Sequence, residues 1–515
     1  MKNNIGLFLS KRAHLSPNVD AYVDGDTRER ASFAELNERC NRTAHALLES
    51  GVKPGDRVAL LMMNSIQFVE SFFAIAKIGG VVVPLNWRLV VGELSFILKD
   101  AGAETLIYGG QFANVVKELH DGGEELTAVK TFIHVGGEDT RDEFAGDYEA
   151  LLAAASTEEP EIGAEEDDLL YIMYTSGTTG LPKGAVHTHN TNIWACMTFA
   201  ATCDQYYKDR YLVALPLFHV GALAPLTAAV HQGITCVVLP AFDPTKTWEL
   251  IEEERITTML AVPAMLNFML QSPAKDTADY STIRWIMSGA APVPVAFIEA
   301  YDKMGIEIHQ VYGLTETCGP ACLILADDAI IKAGSTGKAF FHTDVRVFDA
   351  DDKDVAPNVP GEVVVSGKHL MKEYWNRPEA TAETIKNGWL YTGDVAVIDE
   401  EGFIYIQDRT KDMVISGGEN VYPAEVENII LQNPDVAECA VIGQPSEKWG
   451  ESPFAIVVKK KDSLTDVEVL GHCKGKLAPF KMPKGVAFID EIPRNPTGKV
   501  LKRILREEFP GPAAD

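Results

Sequence analysis

Hydrophobic positions near the N-terminus alternate between helical and strand-like spacing. Apolar side chains recur at helical spacing over residues 33–50, and a short, uninterrupted apolar run follows over 58–62. Ser65 can cap a second helix that runs to about Ile78, and residues 81–84 have the composition of a buried strand. Helices that alternate with buried strands predict βαβ units, in which helices cover the faces of a parallel sheet. The sequence therefore predicts an α/β fold.

One long uncharged stretch needs a separate interpretation. Residues 211–242 contain no Asp, Glu, Lys or Arg, and on length alone they could span a bilayer. Prolines and glycines, together with polar residues such as Gln232, interrupt the stretch. We therefore expect a strand, a loop, a buried helix and a strand here, and no transmembrane segment.

Two features predict a cytoplasmic protein. The N-terminal apolar run before Lys11 is five residues long, which is too short for the hydrophobic part of a secretory signal. The eight cysteines are scattered, and no pair has the two-residue gap typical of zinc ribbons and redox motifs. Unpaired cysteines fit a reducing compartment.

The charge of the chain is acidic and uneven. The 515 residues carry a formal net charge of −28, which disfavours binding to nucleic acid or to an anionic membrane as a general function. Residues 1–410 account for −26 of this charge and residues 411–515 for −2. The acidic run 156–168 is expected to be a solvated connector. Within 471–506, nine basic residues accompany two acidic ones, which indicates either a solvated basic surface or cations brought to a polyphosphate.

The densest chemical signal directly follows an apolar strand predicted over 169–173. Residues 174–184 (YTSGTTGLPKG) combine glycines, hydroxyls and a lysine, which a loop needs to wrap a triphosphate. Pro182 breaks the spacing of a Walker A loop, so this is a different kind of phosphate loop. The residues predicted to contact the nucleotide here are Thr175, Ser176, Gly177, Thr178, Thr179, Gly180 and Lys183.

This loop and seven further motifs resemble the adenylate-forming superfamily, which includes acyl-CoA synthetases, aryl-CoA ligases, luciferases and the adenylation domains of peptide synthetases. The resemblance covers essentially the whole chain, and the motifs follow in the expected order. The further motifs are 215–219 (LPLFH), 288–292 (SGAAP), 312–317 (YGLTET), 391–394 (YTGD), 408–412 (DRTKD), 417–423 (GGENVYP) and 493–499 (PRNPTGK).

The resemblance implies a large N-terminal adenylation domain over residues 1–410, built on mostly parallel sheets with flanking helices. It implies a small mobile α+β C-terminal domain over residues 411–515. It also implies an acid–CoA ligase that uses ATP, Mg²⁺ and coenzyme A. The acid would react with ATP to give acyl-AMP and pyrophosphate, and the thiol of CoA would then displace AMP. A carrier protein as the thiol acceptor and a non-catalytic acyl-nucleotide binder are the alternatives.

The resemblance assigns the first half-reaction to four residues: Thr175, Thr315, Glu316 and Lys499. Glu316 is a lone acid among small residues, which suits a carboxylate ligand of a phosphate-bound Mg²⁺. Lys499 lies on a predicted turn, where its charge could neutralise the two anions that meet when a carboxylate attacks the α-phosphate.

Other motifs supply the implied nucleoside contacts. In the family Asp394 accepts hydrogen bonds from the ribose hydroxyls, and Arg409 joins it there. Small residues leave a flat slot for the adenine ring, and Tyr312 offers a stacking face. The residues implied for the adenine side are Gly289, Ala290, Ala291, Tyr312 and Gly313.

The C-terminal motifs imply a second arrangement of the domains. Lys411 occupies the position that the family uses as the hinge. Rotation about it would replace Lys499 by Gly417, Gly418 and Glu419 for thioester formation. The two glycines would let the pantetheine arm of CoA pass close to the backbone.

The acyl pocket is predicted from Phe218, His219, Gly313 and Gly319. Acetate-type members carry a tryptophan two residues before the motif threonine, and Gly313 stands there in this chain. A larger acid is therefore expected. The chain looks closest to bacterial medium- to very-long-chain fatty-acyl-CoA synthetases, and enzymes for feruloate-like arylpropenoic acids share much of the pattern. We favour a fatty acid.

Three further questions concern ligands and partners. His187 and His189 have no partners at metal-ligand spacing, so no zinc site is expected. Peripheral contact with a membrane and a homodimer are both left open by the sequence.

Overall fold

The computed structural model describes residues 3–175, 181–290, 293, 295–332, 334–409, 413–421, 423–493, 500 and 502–511. Within these residues the strands form four sheets. The strands of the first half are β1 (Asp20–Asp24), β2 (Arg30–Ser32), β3 (Arg57–Leu61), β4 (Val81–Pro84), β5 (Thr105–Gly109), β6 (Thr131–Val135), β7 (Ala145–Asp147), β8 (Leu169–Thr175), β9 (Lys183–Thr188), β10 (Arg210–Val213), β11 (Thr235–Val238) and β12 (Thr258–Ala261).

The described residues of the second half of the chain contain fifteen further strands. They are β13 (Trp285–Ser288), β14 (Glu307–Tyr312), β15 (Cys322–Ile324), β16 (Lys338–Ala339), β17 (Thr343–Phe348), β18 (Gly361–Gly367), β19 (Glu373–Tyr374), β20 (Ile385–Lys386), β21 (Trp389–Ile398), β22 (Ile404–Arg409), β23 (Val414–Ser416), β24 (Glu419–Val421), β25 (Val436–Ser446), β26 (Gly450–Lys459) and β27 (Val486–Phe488).

Helices cover the sheets. They are α1 (Gly6–Leu15), α2 (Phe33–Glu49), α3 (Ile66–Ile78), α4 (Val91–Ala101), α5 (Ala113–Asp121), α6 (Tyr148–Ala154), α7 (His189–Thr202), α8 (Val220–Gln232), α9 (Pro244–Glu253), α10 (Pro263–Gln271), α11 (Val295–Asp302), α12 (Ala326–Ala329), α13 (Pro378–Thr384), α14 (Pro423–Leu431), α15 (Asp466–Cys473) and α16 (Lys502–Glu508).

Two large, mostly parallel sheets dominate the N-terminal part of the chain. One has the order β19-β9-β8-β4-β3-β5-β6-β7, in which β8, β4, β3, β5, β6 and β7 are parallel. The other has the order β16-β15-β14-β13-β12-β10-β11-β1-β2, and β10 to β14 are parallel there. The predicted α/β class with flanking helices is confirmed.

Local sequence signals set the first helices. The helix predicted over 33–50 is α2, which begins at a capping box between Ser32 and Glu35. Ser65 caps α3 through the backbone N–H of Phe68. Gly79 ends α3 in the left-handed conformation, with φ of 78°.

The uncharged stretch 211–242 folds within the second sheet. It contributes most of β10, the buried helix α8 and β11, in the order that the sequence predicted. Among the described residues, no helix has both the length and the apolarity needed to cross a bilayer.

The acidic run 156–168 is a solvated connector as expected, because all seven of its acidic residues are exposed, and two contacts tie it to the core. Glu159 accepts hydrogen bonds of 2.6 and 2.9 Å from the ammonium of Lys77, whose side chain is fully buried in α3. Gly163 packs so closely on Ile78 that an added Cβ would lie 2.0 Å from the Ile78 carbonyl oxygen. The run is held against the core because a buried cation needs a carboxylate partner.

The described residues after 413, here called the C-terminal region, form their own sheet of order β24-β23-β26-β25, with β27 on β26. Helices α14 and α15 pack on it over a separate hydrophobic cluster that includes Val414, Val441 and Val469. A five-stranded sheet of β17, β18, β20, β21 and β22 precedes this region in the chain.

Candidate active site

The predicted phosphate loop connects two antiparallel strands. β8 and β9 pair so that Thr175 lies opposite Lys183, and the Thr175 hydroxyl donates to the Lys183 carbonyl oxygen at 3.5 Å. The structure thus brings the two ends of the loop together. Between them, Ser176, Gly177, Thr178, Thr179 and Gly180 lie outside the described residues and stay sequence predictions.

Tyr374 connects the phosphate hairpin to the predicted metal-binding acid. β19 pairs with β9, which places Tyr374 beside the hairpin, opposite Ala185. The Lys183 ammonium lies 5.1 Å from the centre of the Tyr374 ring. The Tyr374 hydroxyl donates to Glu316 Oε1 at 2.6 Å. The sequence analysis did not single out Tyr374, because its position beside Glu316 depends on the pairing of β19 with β9.

Two buried histidines brace the helical turn at Thr315–Thr317 on which Glu316 lies. His187 Nε2 is 2.8 Å from the carbonyl oxygen of Thr315, and His369 Nδ1 is 2.8 Å from that of Thr317. Burial lowers the pKa of both histidines to about 4. Each imidazole is therefore neutral at pH 7 and can donate its single N–H to the carbonyl. The backbone on both sides of Glu316 is fixed in this way.

The histidine pair that raised the question of zinc has other partners. His187 Nδ1 lies 3.2 Å from the Thr191 hydroxyl, and His189 Nδ1 accepts from the backbone N–H of Ile5 at 3.1 Å. In the part of the chain that the structure describes, no group of three or more His, Cys, Asp and Glu could hold a metal ion. Sequence reasoning expected no zinc site at His187 and missed its bracing contact with Thr315.

The predicted ribose-binding acid is buried on the sheet of β17, β18, β20, β21 and β22. Asp394 lies on β21 directly opposite Arg409 of β22, and it is 6% exposed. The hydroxyl of Tyr312 donates to Asp394 Oδ2 at 2.7 Å. Tyr312 was predicted as a stacking face, and the structure adds that its hydroxyl orients the Asp394 carboxylate. The side chain of Arg409 lies outside the described residues.

The small residues predicted for the adenine side follow β13. A Cβ at Gly289 would lie 2.4 Å from the Val311 carbonyl oxygen, so glycine is required there. Ala290 has a φ of 70°, which is unusual for a residue with a Cβ. Ala290, Tyr312 and Gly313 line a cavity of about 900 Å³ that we call the larger cavity. Ala291 lies outside the described residues.

A second cavity of about 390 Å³, here called the smaller cavity, adjoins the larger one and shares Ala290, Gly313 and Gly418 with it. Most of its wall is apolar. Its lining includes Trp87, Phe199, Leu215, Val220, Gly221, Pro225, Phe242, Leu260, Met265, Phe268 and Met287. The turn residue Thr315 also lines it, so this cavity opens onto the predicted reaction centre.

The predicted acyl-pocket residues occupy different places around the smaller cavity. His219, Gly313 and Gly319 line it, whereas Phe218 is buried and its ring packs edge-on against Trp87, with centroids 6.1 Å apart. A Cβ at Gly313 would lie 1.5 Å from the carbonyl oxygen of Gly319. Gly313 is therefore required by backbone packing, whatever the size of the pocket.

The C-terminal region closes the smaller cavity with Gly417, Gly418 and Glu419. Both glycines have positive φ, 59° and 83°. The Glu419 carboxylate is buried and forms an ion pair with Arg88. It is also 2.8 Å from His219 Nε2 and accepts from Asn86 Nδ2 at 3.2 Å. Sequence reasoning missed Asn86 and Arg88; their position directly after the buried strand β4 was the available signal.

Comparison with known proteins decides the family. Residues 9–375 match the model of the AMP-binding enzyme family, and residues 425–499 match the model of the AMP-binding enzyme C-terminal domain. The chain belongs to the AMP-binding enzyme family. This confirms the resemblance that the motifs indicated.

Among its relatives, this AMP-binding enzyme is 47% identical over 98% of both chains to the long-chain-fatty-acid–CoA ligase FadD13 of Mycobacterium tuberculosis. It is 41% identical to a feruloyl-CoA synthase of Amycolatopsis, over 99% of this chain and 100% of the relative.

The solved structures include two states of one relative, the o-succinylbenzoate CoA synthetase of Bacillus subtilis. A double mutant with a bound CoA product analogue matches this AMP-binding enzyme with a TM-score of 0.87, at 33% identity over 98% of both chains. The complex of the same synthetase with its acyl-adenylate intermediate has a TM-score of 0.71, again at 33% identity over 98% of both chains.

Two further predicted residues of the enzyme also lie outside the described residues. They are Lys499, assigned to the adenylation step, and Lys411, assigned to the hinge. β23 is the first strand of the C-terminal region, and the domain boundary at 410 stays a prediction.

Proposed function

We propose that the protein activates a medium- to long-chain fatty acid with ATP and transfers the acyl group from acyl-AMP to CoA, with release of pyrophosphate and AMP. One observation carries this proposal: a mostly apolar cavity is lined by the turn residue Thr315, next to Glu316, and by Gly417–Glu419 of the C-terminal region. An apolar tail, an activated carboxyl group and an incoming thiol would meet at that turn. The names of two relatives, the long-chain-fatty-acid–CoA ligase and the feruloyl-CoA synthase, support acid–CoA ligation.

The apolar lining of the smaller cavity supports an aliphatic acid. Phe199 and Met265 are buried hydrophobic residues there, and burial of each methylene in such a wall contributes about 0.8 kcal/mol. The relative at 47% identity is named as a long-chain-fatty-acid–CoA ligase, and the one at 41% as a feruloyl-CoA synthase. We therefore favour a fatty acid over an arylpropenoic acid as the substrate.

The nucleotide would lie between the β8–β9 hairpin and the larger cavity. Thr175 and Lys183 would hold its phosphates, and Asp394 would accept from the ribose hydroxyls. Asp394 is suited to this because Tyr312 orients its carboxylate while Arg409 lies opposite in the ladder. With the nucleotide so placed, the small residues after β13 leave room for a flat ring.

Glu316 is the residue that we propose for Mg²⁺. Its carboxylate offers hard oxygen donors, which Mg²⁺ prefers, and Tyr374 and the two bracing histidines fix its position. When bound there, the ion would neutralise phosphate charge. The protein's own part is to hold this carboxylate near the phosphate hairpin and the opening of the smaller cavity.

The two half-reactions would use different faces of the C-terminal region. We propose residues 1–410 and 411–515 as the two domains, with Lys411 as the hinge, and Lys499 as the cation for adenylation. Replacing Lys499 by Ala should abolish formation of acyl-AMP and spare thioester formation from supplied acyl-AMP. Equal loss of both activities would contradict the assignment.

The direct test of the proposed function is competition among acids. The protein is incubated with ATP, Mg²⁺, CoA and a mixture of acetate, octanoate, palmitate, benzoate and feruloate, and the products are identified by mass spectrometry. A dominant fatty-acyl-CoA is the expected result. Feruloyl-CoA would identify an aromatic acid instead, and acyl-AMP without any CoA thioester would indicate a different acceptor.

We also propose that the enzyme works in the cytoplasm on small molecules. All eight cysteines are free, and seven of them are buried, which suits a reducing compartment. Fractionation of cells that produce the enzyme tests the location, and light scattering tests whether it forms the homodimer that the sequence left open.

A further inference from the structure

The segment that follows β4 contacts the C-terminal region at two separate places. The first is the contact of Asn86 and Arg88 with Glu419, at the opening of the smaller cavity. The second involves Glu93, in the first turn of α4, which contacts Lys481. The proposed chemistry explains the first contact. It gives no role to the second.

The second contact is a buried cluster of one cation and two acids. The Lys481 ammonium donates to Glu93 Oε1 at 2.7 Å and to Glu425 Oε1 at 2.8 Å. The exposed fractions of the three side chains are 3% for Lys481, 10% for Glu93 and 8% for Glu425. A charge this deeply buried needs a charged partner, so the cluster is sensitive to the removal of any member.

The acids of the cluster come from different parts of the chain. Glu425, in the first turn of α14, belongs to the C-terminal region, as does Lys481. Glu93 belongs to the N-terminal part, where its second oxygen accepts from the backbone N–H of Val90 at 3.0 Å. This capping contact fixes the direction of the Glu93 carboxylate before the C-terminal region meets it.

The contact between Lys481 and Glu93 depends on where the C-terminal region lies. Lys481 and Glu425 belong to that region and would move together, so a different placement of the region would separate Lys481 from Glu93 and keep its contact with Glu425. The placement observed here resembles the CoA-analogue complex of the B. subtilis synthetase more than its acyl-adenylate complex, with TM-scores of 0.87 and 0.71. In this placement, Glu419 reaches the smaller cavity.

We propose that Glu93 and Lys481 are positioning residues for the thioester-forming half-reaction: their buried ion pair holds the C-terminal region in the orientation that places Gly417–Glu419 over the acyl cavity. This inference rests on the proposed function. Neither residue touches the reacting atoms. Loss of the pair should therefore slow the transfer to CoA and leave adenylation intact.

The test separates the two half-reactions. Adenylation is measured as acid-dependent exchange of pyrophosphate into ATP, and transfer is measured as CoA-dependent consumption of supplied acyl-AMP. Glu93→Lys opposes two cations in the observed placement, so transfer should fall at least about tenfold while exchange stays within about twofold. Glu93→Gln, which keeps an oxygen for the Val90 N–H, should have a smaller effect in the same direction.

A charge exchange guards against a trivial loss of folding. The double variant Glu93→Lys with Lys481→Glu again has one cation and two carboxylates in the cluster, and it should recover most of the transfer activity. Lys461→Met is the matched control, because Lys461 pairs with Asp435 on the exposed surface of the same region. It should change neither half-reaction.

The outcomes distinguish this inference from the proposed function. Equal loss of exchange and transfer in Glu93→Lys, unchanged transfer, or no recovery in the double variant would each overturn the positioning role. If the unmodified enzyme itself shows neither exchange nor transfer with any acid, the proposed function fails, whatever the variants do.

Discussion

Gly221 offers the sharpest test of whether the smaller cavity holds the acyl chain. It is the second residue of α8 and lines the cavity. A Cβ added there would contact Leu215 Cδ1 at 3.7 Å, which is ordinary van der Waals distance. A Cβ therefore fits without movement of the backbone, and we expect a larger side chain built on it to occupy part of the cavity. Since glycine is a poor helix former, Gly221→Leu should not destabilise α8.

The expected effect follows from the displaced volume. If the leucine side chain takes the place of three methylenes of a bound acid, those methylenes lose about 0.8 kcal/mol each, or about 2.4 kcal/mol together. This corresponds to about a 60-fold decrease in kcat/KM for palmitate. Octanoate, which leaves part of the cavity empty, should be much less affected. The measured quantity is the ratio of palmitoyl-CoA to octanoyl-CoA formed in competition.

Gly471→Leu is the matched control, because Gly471 also lies in a helix, α15, and a Cβ there would meet no heavy atom within 4 Å. It should leave the product ratio unchanged. An unchanged ratio in Gly221→Leu would refute the placement of the chain in this cavity. An equal loss for all acids would show that the leucine blocks another part of the reaction.

Three further predictions concern the supports of the site. Glu316→Gln should raise the Mg²⁺ concentration needed for half-maximal adenylation, and an unchanged Mg²⁺ titration would count against a metal ligand. Burial lowers the pKa values of His187 and His369 to about 4, below the ordinary 6.5. Stability that is present above pH 6.5 should therefore be lost as the pH falls towards 4, by about 3 kcal/mol for each histidine. Denaturant unfolding of His369→Gln should show a correspondingly smaller dependence on pH. Glu159→Gln should lower the free energy of unfolding by about 2–4 kcal/mol, because it leaves the fully buried Lys77 ammonium without its carboxylate partner; a stability equal to that of the unmodified enzyme would contradict this.

Local pattern predicted the elements whose cause is local. The helix over 33–50 could be predicted because its apolar spacing, its capping serine and its N3 glutamate are all close together in sequence. The strand, helix and strand of 211–242 were predicted for the same kind of reason. The family motifs then indicated which strand ends carry the chemistry. The fold class needed no information beyond these signals.

Contacts between distant segments could not be predicted in this way. Asn86 and Glu419 are 333 residues apart in the chain, and nothing in either motif names the other as a partner. The bracing of Glu316 by His187 and His369 depends on the pairing of strands in the fold. Lys481 illustrates the same limit: its basic segment suggested a solvated surface or a polyphosphate contact, yet its ammonium is buried between two carboxylates.

Charge asymmetry and the Lys481 cluster have different roles in the association of the two parts of the enzyme. Residues 1–410 carry −26 and residues 411–515 carry −2, so only the basic segment 471–506 is attracted to the N-terminal part, and it is attracted in many orientations. At physiological salt this attraction is screened beyond about 8 Å and cannot select one orientation. Selection requires short, directional and buried contacts. The Glu93–Lys481 pair and the contacts of Glu419 with Asn86 and Arg88 are of this kind, and their N-terminal partners all lie on the segment that follows β4. A perturbation of that segment should therefore change the balance between the half-reactions, whereas added salt should mainly slow the approach of the C-terminal region.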